Sequence, residues 1–495
     1  MFISLLPFVA GAVDGRYANP STIRYYQDFS LWLRSTNAAG LASTFLPEYN
    51  IVSALYSTHN GDFHRVQSGD SFSDIAFDTE GSLGVGKTRL WGHFRYDNIT
   101  EKGTAYNTIL FDPYDERQIF SVADPRVSDW KRQAYLMEFK TAHPISDRLF
   151  AGVHVSYADR LAAKQVDPRS ESFRYDLSVI PSVAWRIIGL SSIGLSLEYS
   201  RFFERTAPTL SNASEIQDVY VLRGLGNFVK DIVGSGGLST IYYDCNTWGA
   251  SAQYNLYKCE WELLAEAGFR SHATSTRESA TQPFNMGSTR MQEAFTNISA
   301  KLPSALLAAS FIYRNTDATE YTSVWNLSTG EWEVRTSALG SRYGTVQAGM
   351  SYDHYFGDRD DALYDWLLGA RVGWISKNDR YLLPAASFTY SNLCFSARTE
   401  KLFSFGKLLW EAGADVLYNL NLGGEYSYTG VQPNENPATI WYPGDISVLG
   451  SDYFSAGASV GVTKKSLSIS AKGNAIFASE GRKRFCLSLG LNLIF

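Results

Sequence analysis

The chain has 495 residues, and its composition excludes several classes of protein. Its 44 basic and 50 acidic residues give a net charge of −6 without any Lys/Arg-rich run, so the basic surface that nucleic-acid binding requires is missing. Aromatic residues reach 14%, yet no stretch approaches the roughly 18 consecutive apolar residues of a membrane-spanning helix. With 45% hydrophobic residues, the chain is also too apolar to be intrinsically disordered.

Residues 1–12 are an apolar run ending in Ala10-Gly11-Ala12, which is similar to the cleavage site of a secretory signal peptide. No basic residue precedes the run. Either the true start codon lies upstream and the signal peptide is truncated here, or the segment is an ordinary apolar N-terminus.

Residues 13–49 form an N-terminal extension that is too apolar to remain free in solution, since it carries Leu31, Trp32, Leu33 and Phe45. We expect it to pack against the domain that follows. It is either a small plug in that domain's interior or an extra strand or helix at its base.

From residue 50 to residue 495 the apolar residues recur with a period of two, which is typical of β-strands. The apolar faces begin or end on Trp, Tyr or Phe, and the opposite faces are polar. A lipid-facing barrel requires this arrangement, because its outer row contacts hydrocarbon, its aromatic rings lie at the headgroups and its lumen is wet. The sequence therefore predicts an all-β, antiparallel up-and-down transmembrane β-barrel. Two of these apolar faces are Trp261/Leu263/Ala265/Ala267/Phe269 and Trp366/Leu368/Ala370/Val372/Trp374.

We count about eighteen strands, with sixteen as the alternative. Long connections after odd strands and short ones after even strands predict extracellular loops and periplasmic turns, with both termini periplasmic. The weak points of the count are the first two strands and 384–398, where the apolar residues change phase and imply a bulge or a shorter strand. The predicted strands are 50–58, 71–79, 88–97, 132–142, 147–158, 175–186, 191–204, 245–256, 259–270, 289–302, 305–315, 343–355, 365–376, 384–398, 407–420, 452–463, 466–477 and 483–495.

The last strand ends on an aromatic residue with an unbroken apolar face. This pattern is similar to the C-terminal signal that the outer-membrane insertion machinery reads, so we expect that machinery and outer-membrane lipid to be partners. The residues of the predicted insertion signal are Phe485, Leu487, Leu489, Leu491, Leu493 and Phe495.

Charged residues on the polar faces are the candidate pore lining, since barrels of 16 to 18 strands are wide enough for an aqueous channel. Both signs occur in similar number, so strong ion selectivity does not follow. The predicted pore-lining residues are Arg89, His93, Arg95, Glu138, Lys140, Glu262, Glu266, Arg371, Glu411 and Asp415.

Motifs of enzymes and cofactor sites are missing from the sequence. It has no GxSxG, HExxH or P-loop, and its four cysteines lack the spacing of a zinc site or a disulfide framework. His154 and Ser156 share a lumen-facing phase, but a pore-lining pair is the simpler interpretation than a catalytic one. We expect no catalytic residue, cofactor or metal.

Five short stretches in the first third of the chain stand out as motifs: Asn37-Ala38-Ala39-Gly40-Leu41, Gly61-Asp62-Phe63-His64-Arg65, Trp91-Gly92-His93-Phe94-Arg95-Tyr96, Asp112-Pro113-Tyr114 and Asp129-Trp130-Lys131-Arg132-Gln133. With them the chain resembles an uncharacterised family of Bacteroidetes-type outer-membrane β-barrel proteins. The resemblance covers most of the chain and implies an outer-membrane barrel, but it implies no substrate and no functional residue.

Three functions remain open. The first is a passive outer-membrane channel or transporter for small solutes, with the N-terminal extension as its plug. The second is a non-conducting scaffold or subunit of an outer-membrane complex, and the third, which little supports, is an outer-membrane hydrolase. Aromatic residues in 421–451, such as Trp441 and Tyr442, could stack on a sugar, anchor a partner or simply pack within the loop. The oligomeric state is open, because every strand has a lipid-compatible face.

Overall fold

The computed structural model describes most of the chain from residue 19 onward. The predicted signal peptide, residues 1–12, and the start of the N-terminal extension lie outside the described residues. The described ranges are 19–106, 111–187, 191–212, 214–234, 236–258, 260–279, 281–357, 363–431 and 437–495.

Eighteen strands of the described chain form one antiparallel sheet, and three short strands form a second sheet. The barrel strands are β1 (Tyr49–Gly61), β2 (Ser71–Val85), β3 (Thr88–Thr104), β5 (Ser128–Pro144), β6 (Leu149–Lys164), β7 (Arg169–Arg186), β8 (Ser192–Thr209), β11 (Ile241–Lys258), β12 (Trp261–Glu278), β13 (Phe284–Lys301), β14 (Ala305–Asn326), β15 (Glu331–Phe356), β16 (Trp366–Tyr381), β17 (Ala386–Phe405), β18 (Leu408–Tyr428), β19 (Tyr453–Lys464), β20 (Leu467–Ala478) and β21 (Lys483–Ile494). The second sheet comprises β4 (Ser121–Ala123), β9 (Gln217–Gly224) and β10 (Asn227–Val233). The helices are α1 (Pro20–Phe29), α2 (Trp441–Leu449) and the 3-10 helices Leu31–Arg34, Ala38–Ser43 and Ser479–Gly481.

The large sheet is a closed barrel. Each barrel strand pairs with the next one along the chain, and β1 pairs with β21 from Ile51↔Ile494 to Gly61↔Arg484. The predicted count of eighteen strands is therefore confirmed, and the alternative of sixteen is wrong.

Side-chain alternation separates a wet interior from an apolar exterior. On β21, Leu487, Leu489 and Leu491 are each about 45% exposed on the outer surface, whereas Ser488 and Gly490 lie on the inner face. Aromatic pairs such as Tyr199 and Trp248 also lie on the outer surface, with ring centroids 4.7 Å apart. This is the architecture of outer-membrane β-barrels. None of the helices among the described residues is long and apolar enough to cross a membrane.

The two ends of the barrel differ. One end, here called the terminal end, carries Tyr49 and Ile494 and has mostly short turns, including the two-residue connection between β17 and β18. At Gly406 in that turn φ is +65°, a conformation that favours glycine. The opposite end, called the loop end, carries the long connections 105–127, 210–240 and 429–452.

Many residues predicted as loops are extensions of strands. The predicted loop 316–342 is mostly an extended hairpin of β14 and β15, which have 22 and 26 residues. The phase change near residue 390 does not shorten its strand, because β17 has 20 residues and Phe388 packs inwards while Phe395 faces outwards. The irregularity lies in the pairing of β17 with β18, where the register shifts between Ser391 and Asn392.

Candidate functional site: the barrel lumen

Residues 19–48, here called the N-terminal segment, lie inside the terminal end of the lumen. The segment begins with α1, whose first turn is capped by Asn19, which accepts a hydrogen bond from the backbone N–H of Thr22 at 2.8 Å. Pro20 occupies the first helical turn, where its missing N–H costs nothing. Two short 3-10 helices then lead to β1, so the described part of the extension before β1 is helical.

An apolar core fixes the N-terminal segment against the barrel wall. Leu31 and Trp32 are at most 1% exposed, and they pack with residues of the inner wall such as Phe150 and Leu264. At Gly152 on β6 the segment comes so close that a Cβ atom would lie 2.4 Å from the backbone nitrogen of Ala39. Burying these side chains provides the main driving force for docking the segment.

Polar side chains from the wall bind the backbone of the segment. Lys140 on β5 donates to the carbonyls of Leu33 at 2.7 Å and Ser35 at 3.3 Å. Glu266 on β12 accepts hydrogen bonds from the backbone N–H of Thr36, at 3.2 Å, and from its hydroxyl. These two predicted pore residues therefore hold the N-terminal segment instead of lining open space.

Asn37 supplies a further set of contacts from the segment itself. Its Nδ2 donates to the carbonyl of Val183 on β7 at 2.9 Å and to Oε1 of Gln253 on β11 at 2.8 Å. With Lys140 and Glu266, these contacts attach one side of the segment to β5, β7, β11 and β12.

The other side of the segment is held by an ion-pair cluster at α1. Arg24 pairs with Glu400 on β17 and lies 3.7 Å from Glu411 on β18, and it donates to the hydroxyl of Tyr364 at 3.0 Å. Burial alone would lower the pKa of Arg24, but Tyr364, Glu400 and Glu411 raise it above its ordinary value. The guanidinium therefore stays charged, and the segment spans the lumen between two walls.

The loop end is filled by the three-stranded sheet. β4 comes from the connection after β3, and the β9–β10 hairpin comes from the connection after β8. The tip of this hairpin reaches the opposite wall, where the hydroxyl of Tyr426 donates to the carbonyl of Leu225 at 3.1 Å. At Gly226 φ is +86°, and a Cβ atom would lie 2.6 Å from that hydroxyl, so only glycine fits there.

Helix α2 covers the remaining part of the loop end. Asp445 of α2 accepts hydrogen bonds at 2.9 Å from Nε of Arg65 and from the backbone N–H of Val66, both in the β1–β2 connection. Trp441 is 6% exposed and its ring stacks on Tyr442. Trp441 thus packs within the loop end, whereas a role of these rings in binding a sugar or a partner stays a prediction.

Between these two fillings a cavity of about 650 Å³ lies along the wall formed by β16 to β21 and β1 to β3. The cavity exists because many inward side chains of this wall are absent or small: Gly413, Ser459, Gly461, Ser470, Ser488 and Gly490. Its charged lining residues are Arg24, Asp74, Arg95, Arg371, Arg398, Glu400, Glu411, Asp415 and Lys472.

The ten predicted pore residues lie on the lumen face but in different surroundings. Arg95, Arg371, Glu411 and Asp415 line the cavity, whereas Arg89 lies beside the β2–β3 turn at the terminal end. Three further predicted pore residues form side-chain hydrogen bonds: His93 with Asp78 at 2.9 Å, Glu138 with His154 at 2.8 Å, and Glu262 with Asn255 at 2.8 Å.

The pair considered for catalysis does not form a catalytic arrangement. His154 directs its Nε2 at Glu138, and none of the described hydrogen bonds joins it to Ser156. Among the residues that the structure describes, no group of three or more His, Cys, Asp or Glu side chains could hold a metal ion.

The sequence did not reveal Arg24, Thr36 or Asn37 as lumen residues. Their roles depend on where the N-terminal segment docks, and the segment has no strand periodicity to indicate a facing side. The run of inward Gly and Ser from β18 to β21 was visible in the alternation, and it was the available signal for the cavity.

The predicted insertion signal lies on the outer surface. Its residues, Phe485, Leu487, Leu489, Leu491, Leu493 and Phe495, are all exposed to the surroundings of the barrel. Their role as a signal stays a prediction.

Comparison with solved structures finds similar outer-membrane proteins of low sequence identity. The siderophore receptor PiuA from Acinetobacter baumannii has 10% identity and a TM-score of 0.45, with 91% of this chain and 82% of that chain covered. The ferric-catecholate import receptor Fiu from E. coli K12, in its open form, has 9% identity and a TM-score of 0.41, with coverage of 91% and 82%. OpdK from Pseudomonas aeruginosa, solved with vanillate, has 9% identity and a TM-score of 0.33, with coverage of 90% and 98%.

No curated protein matches the chain. A Bacteroidetes origin stays a prediction. Residues 38–495 match a protein family described as "Family of unknown function (DUF6850)", and the chain belongs to that family.

Proposed function

We propose that the protein is an outer-membrane channel for small hydrophilic solutes, constricted by its N-terminal segment. The observation that carries this proposal is the cavity of about 650 Å³ beside the segment, which is lined by charged and hydroxyl side chains. The inward Gly and Ser of β18 to β21 keep this space open. Larger side chains at these positions would fill the space with packing contacts, and their absence leaves room for water and solute.

The asymmetry of the two ends supports an orientation of the barrel in the membrane. Outer-membrane barrels have short periplasmic turns and longer extracellular loops. We therefore place the terminal end, with Tyr49 and Ile494, at the periplasm and the loop end outside the cell. Solutes would enter past α2 and leave beside α1.

Unit conductance in a planar bilayer tests the channel. The wild-type protein should give discrete current steps. Replacing Ser459 with Trp adds bulk to the cavity and should lower the unit conductance at least about twofold. The matched control is Ala458→Trp, which adds the same ring to the outer face of the same strand and should leave the conductance unchanged. Silence from the wild-type protein, or equal effects of the two variants, would contradict the proposal.

A non-conducting scaffold is the second candidate. Two observations favour it: the lumen is filled from both ends, and the β14–β15 hairpin extends beyond the neighbouring strands with Leu327 90% exposed at its tip. A photo-reactive amino acid at position 327 should then cross-link to one protein in intact cells. The same residue placed at Val431, 87% exposed on a different loop, is the control.

A further inference from the structure

One cation of the cavity differs from the other four. Within the described residues, Arg371 forms no ion pair, although its side chain is exposed to the cavity. The others are all paired: Arg24 with Glu400, Arg95 with Asp97 at 2.7 Å, Arg398 with Asp353 at 2.8 Å and Lys472 with Asp415 at 2.9 Å.

The surroundings of Arg371 leave its guanidinium free to move and accessible. On the lumen face of β16 it is flanked by Gly369 and Gly373, and a Cβ atom at Gly373 would have no heavy atom within 4 Å. Ser396, directly opposite on β17, also lines the cavity. Arg371 thus lies between open space over Gly373 and the Asp353–Arg398 pair, which covers Gly369. Ser351 on β15 and Ser396 on β17 lie directly opposite it on the two neighbouring strands.

The carboxylates nearest to Arg371 along the wall already have partners. Nε of Arg398 donates a hydrogen bond to Asp353 at 3.0 Å, and Glu400 forms an ion pair with Arg24. Lys472 lies four strands further around the barrel, about 19 Å along the wall at the usual strand spacing. Arg371 is therefore surplus to the network that stabilises the wall.

We propose that Arg371 binds the anionic group of the solute, a carboxylate or a phosphate, as it passes through the cavity. A guanidinium presents parallel N–H donors that match two oxygens of either group, and the Ser396 hydroxyl can donate a third hydrogen bond to the anion. The inference rests on the proposed channel function and adds the class of solute. It also predicts anion preference, which the nearly equal count of charges does not.

Ion selectivity provides the first test. In a salt gradient across a planar bilayer, the wild-type reversal potential should show chloride to be more permeant than potassium. Arg371→Gln should lower the chloride-to-potassium permeability ratio about threefold or more, and Arg371→Glu should invert the preference. Arg290→Gln is the matched control, because Arg290 is exposed on the outer face of β13 between the buried Thr289 and Met291. An unchanged ratio in Arg371→Gln would overturn the proposal.

Equilibrium binding tests the site without requiring conduction. Calorimetric titration of the detergent-solubilised barrel at low ionic strength should detect binding of succinate or of inorganic phosphate, and which of the two binds identifies the anionic group. Arg371→Gln should weaken that binding at least about tenfold, whereas Arg290→Gln should not. Binding that depends on Arg371 in a protein that gives no current would refute the channel and retain the anion site. Absence of binding for both anions would overturn the site.

Discussion

The indole of Trp32 lies directly against the backbone of Gly40. A Cβ atom at position 40 would be 1.9 Å from Cδ2 of Trp32, so the two 3-10 helices of the N-terminal segment fit together only with glycine there. This contact packs the two 3-10 helices against each other within the apolar core. The docking of the segment as a unit therefore depends on it.

Gly40→Ala should accordingly destabilise the docked segment. The added methyl group collides with a fully buried ring, and such overpacking costs about 1 to 3 kcal/mol. Tryptophan fluorescence during denaturant unfolding in detergent measures the change. Gly373→Ala is the control, since it adds a methyl group where no heavy atom lies within 4 Å, and it should change the free energy of unfolding by less than about 0.5 kcal/mol.

Lys140→Met should loosen the N-terminal segment while leaving the barrel intact. The substitution keeps the length of the side chain but removes the donor to the carbonyls of Leu33 and Ser35, at a cost of about 1.5 to 3 kcal/mol. Limited proteolysis should then cleave within residues 19–48 faster than in the wild-type protein. Lys407→Met, at an exposed turn of the terminal end, should have no effect. Equal cleavage in the two variants would show that Lys140 does not hold the segment.

Asp115 should make the docking of loop 105–127 sensitive to acid. Burial alone would raise its pKa, but Arg117 at 2.8 Å and Arg174 at 3.2 Å lower the pKa well below its usual range. A carboxylate with a lowered pKa in the folded state stabilises the protein above its unfolded pKa, and that contribution is lost as the pH falls towards the folded pKa.

Asp115→Asn should therefore cost about 1 to 3 kcal/mol at pH 7, because Arg117 loses its carboxylate partner, whereas buried Arg174 keeps Asp176 and Glu204. The difference from the wild-type protein should begin to shrink below about pH 4, the ordinary pKa of an aspartate. Thermal unfolding from pH 7 to pH 2 measures this. A constant difference over the whole range would contradict the assignment.

The outer face of β21 should not tolerate charge. Leu489→Arg places a cation on the surface that contacts lipid and should destabilise the barrel by about 2 to 4 kcal/mol if the residue lies near the bilayer midplane. The neighbouring Ser488→Arg points into the cavity and should be tolerated. Folding titrations into lipid vesicles compare the two variants, and equal costs would mean that the assigned faces are wrong.

The barrel could be predicted because its physical signal is local. Each strand carries its own alternation, so the terminal strand from Phe485 to Phe495 identifies its lipid face without any knowledge of its neighbours. The inward packing of Phe388 looked like an irregularity because near the loop end an aromatic ring can face inwards onto an infolded segment, as Phe388 does against Tyr442 of α2.

The filling of the lumen could not be predicted in the same way. Strands β4, β9 and β10 are short. β9 and β10 form a local hairpin, but β4 joins it only because loops from distant parts of the chain meet inside the barrel. The roles of individual charged residues could not be predicted from the sequence for the same reason. Counting residues treats Arg371 and Arg398 alike. In the described part of the chain Arg371 has no ion-pair partner, whereas Arg398 is bound to Asp353, and only the assembled wall distinguishes them.

The pairing of β1 with β21 constrains the order in which the molecule assembles. This seam joins Ile51 to Ile494, so it is the longest-range contact of the sheet and forms last if neighbouring strands zip together in sequence. The N-terminal segment immediately precedes β1 and touches walls on both sides of the lumen. It is therefore best placed to serve as a template around which the sheet curls before the seam closes, and a slower final closure is the kinetic signature expected when its contacts are weakened.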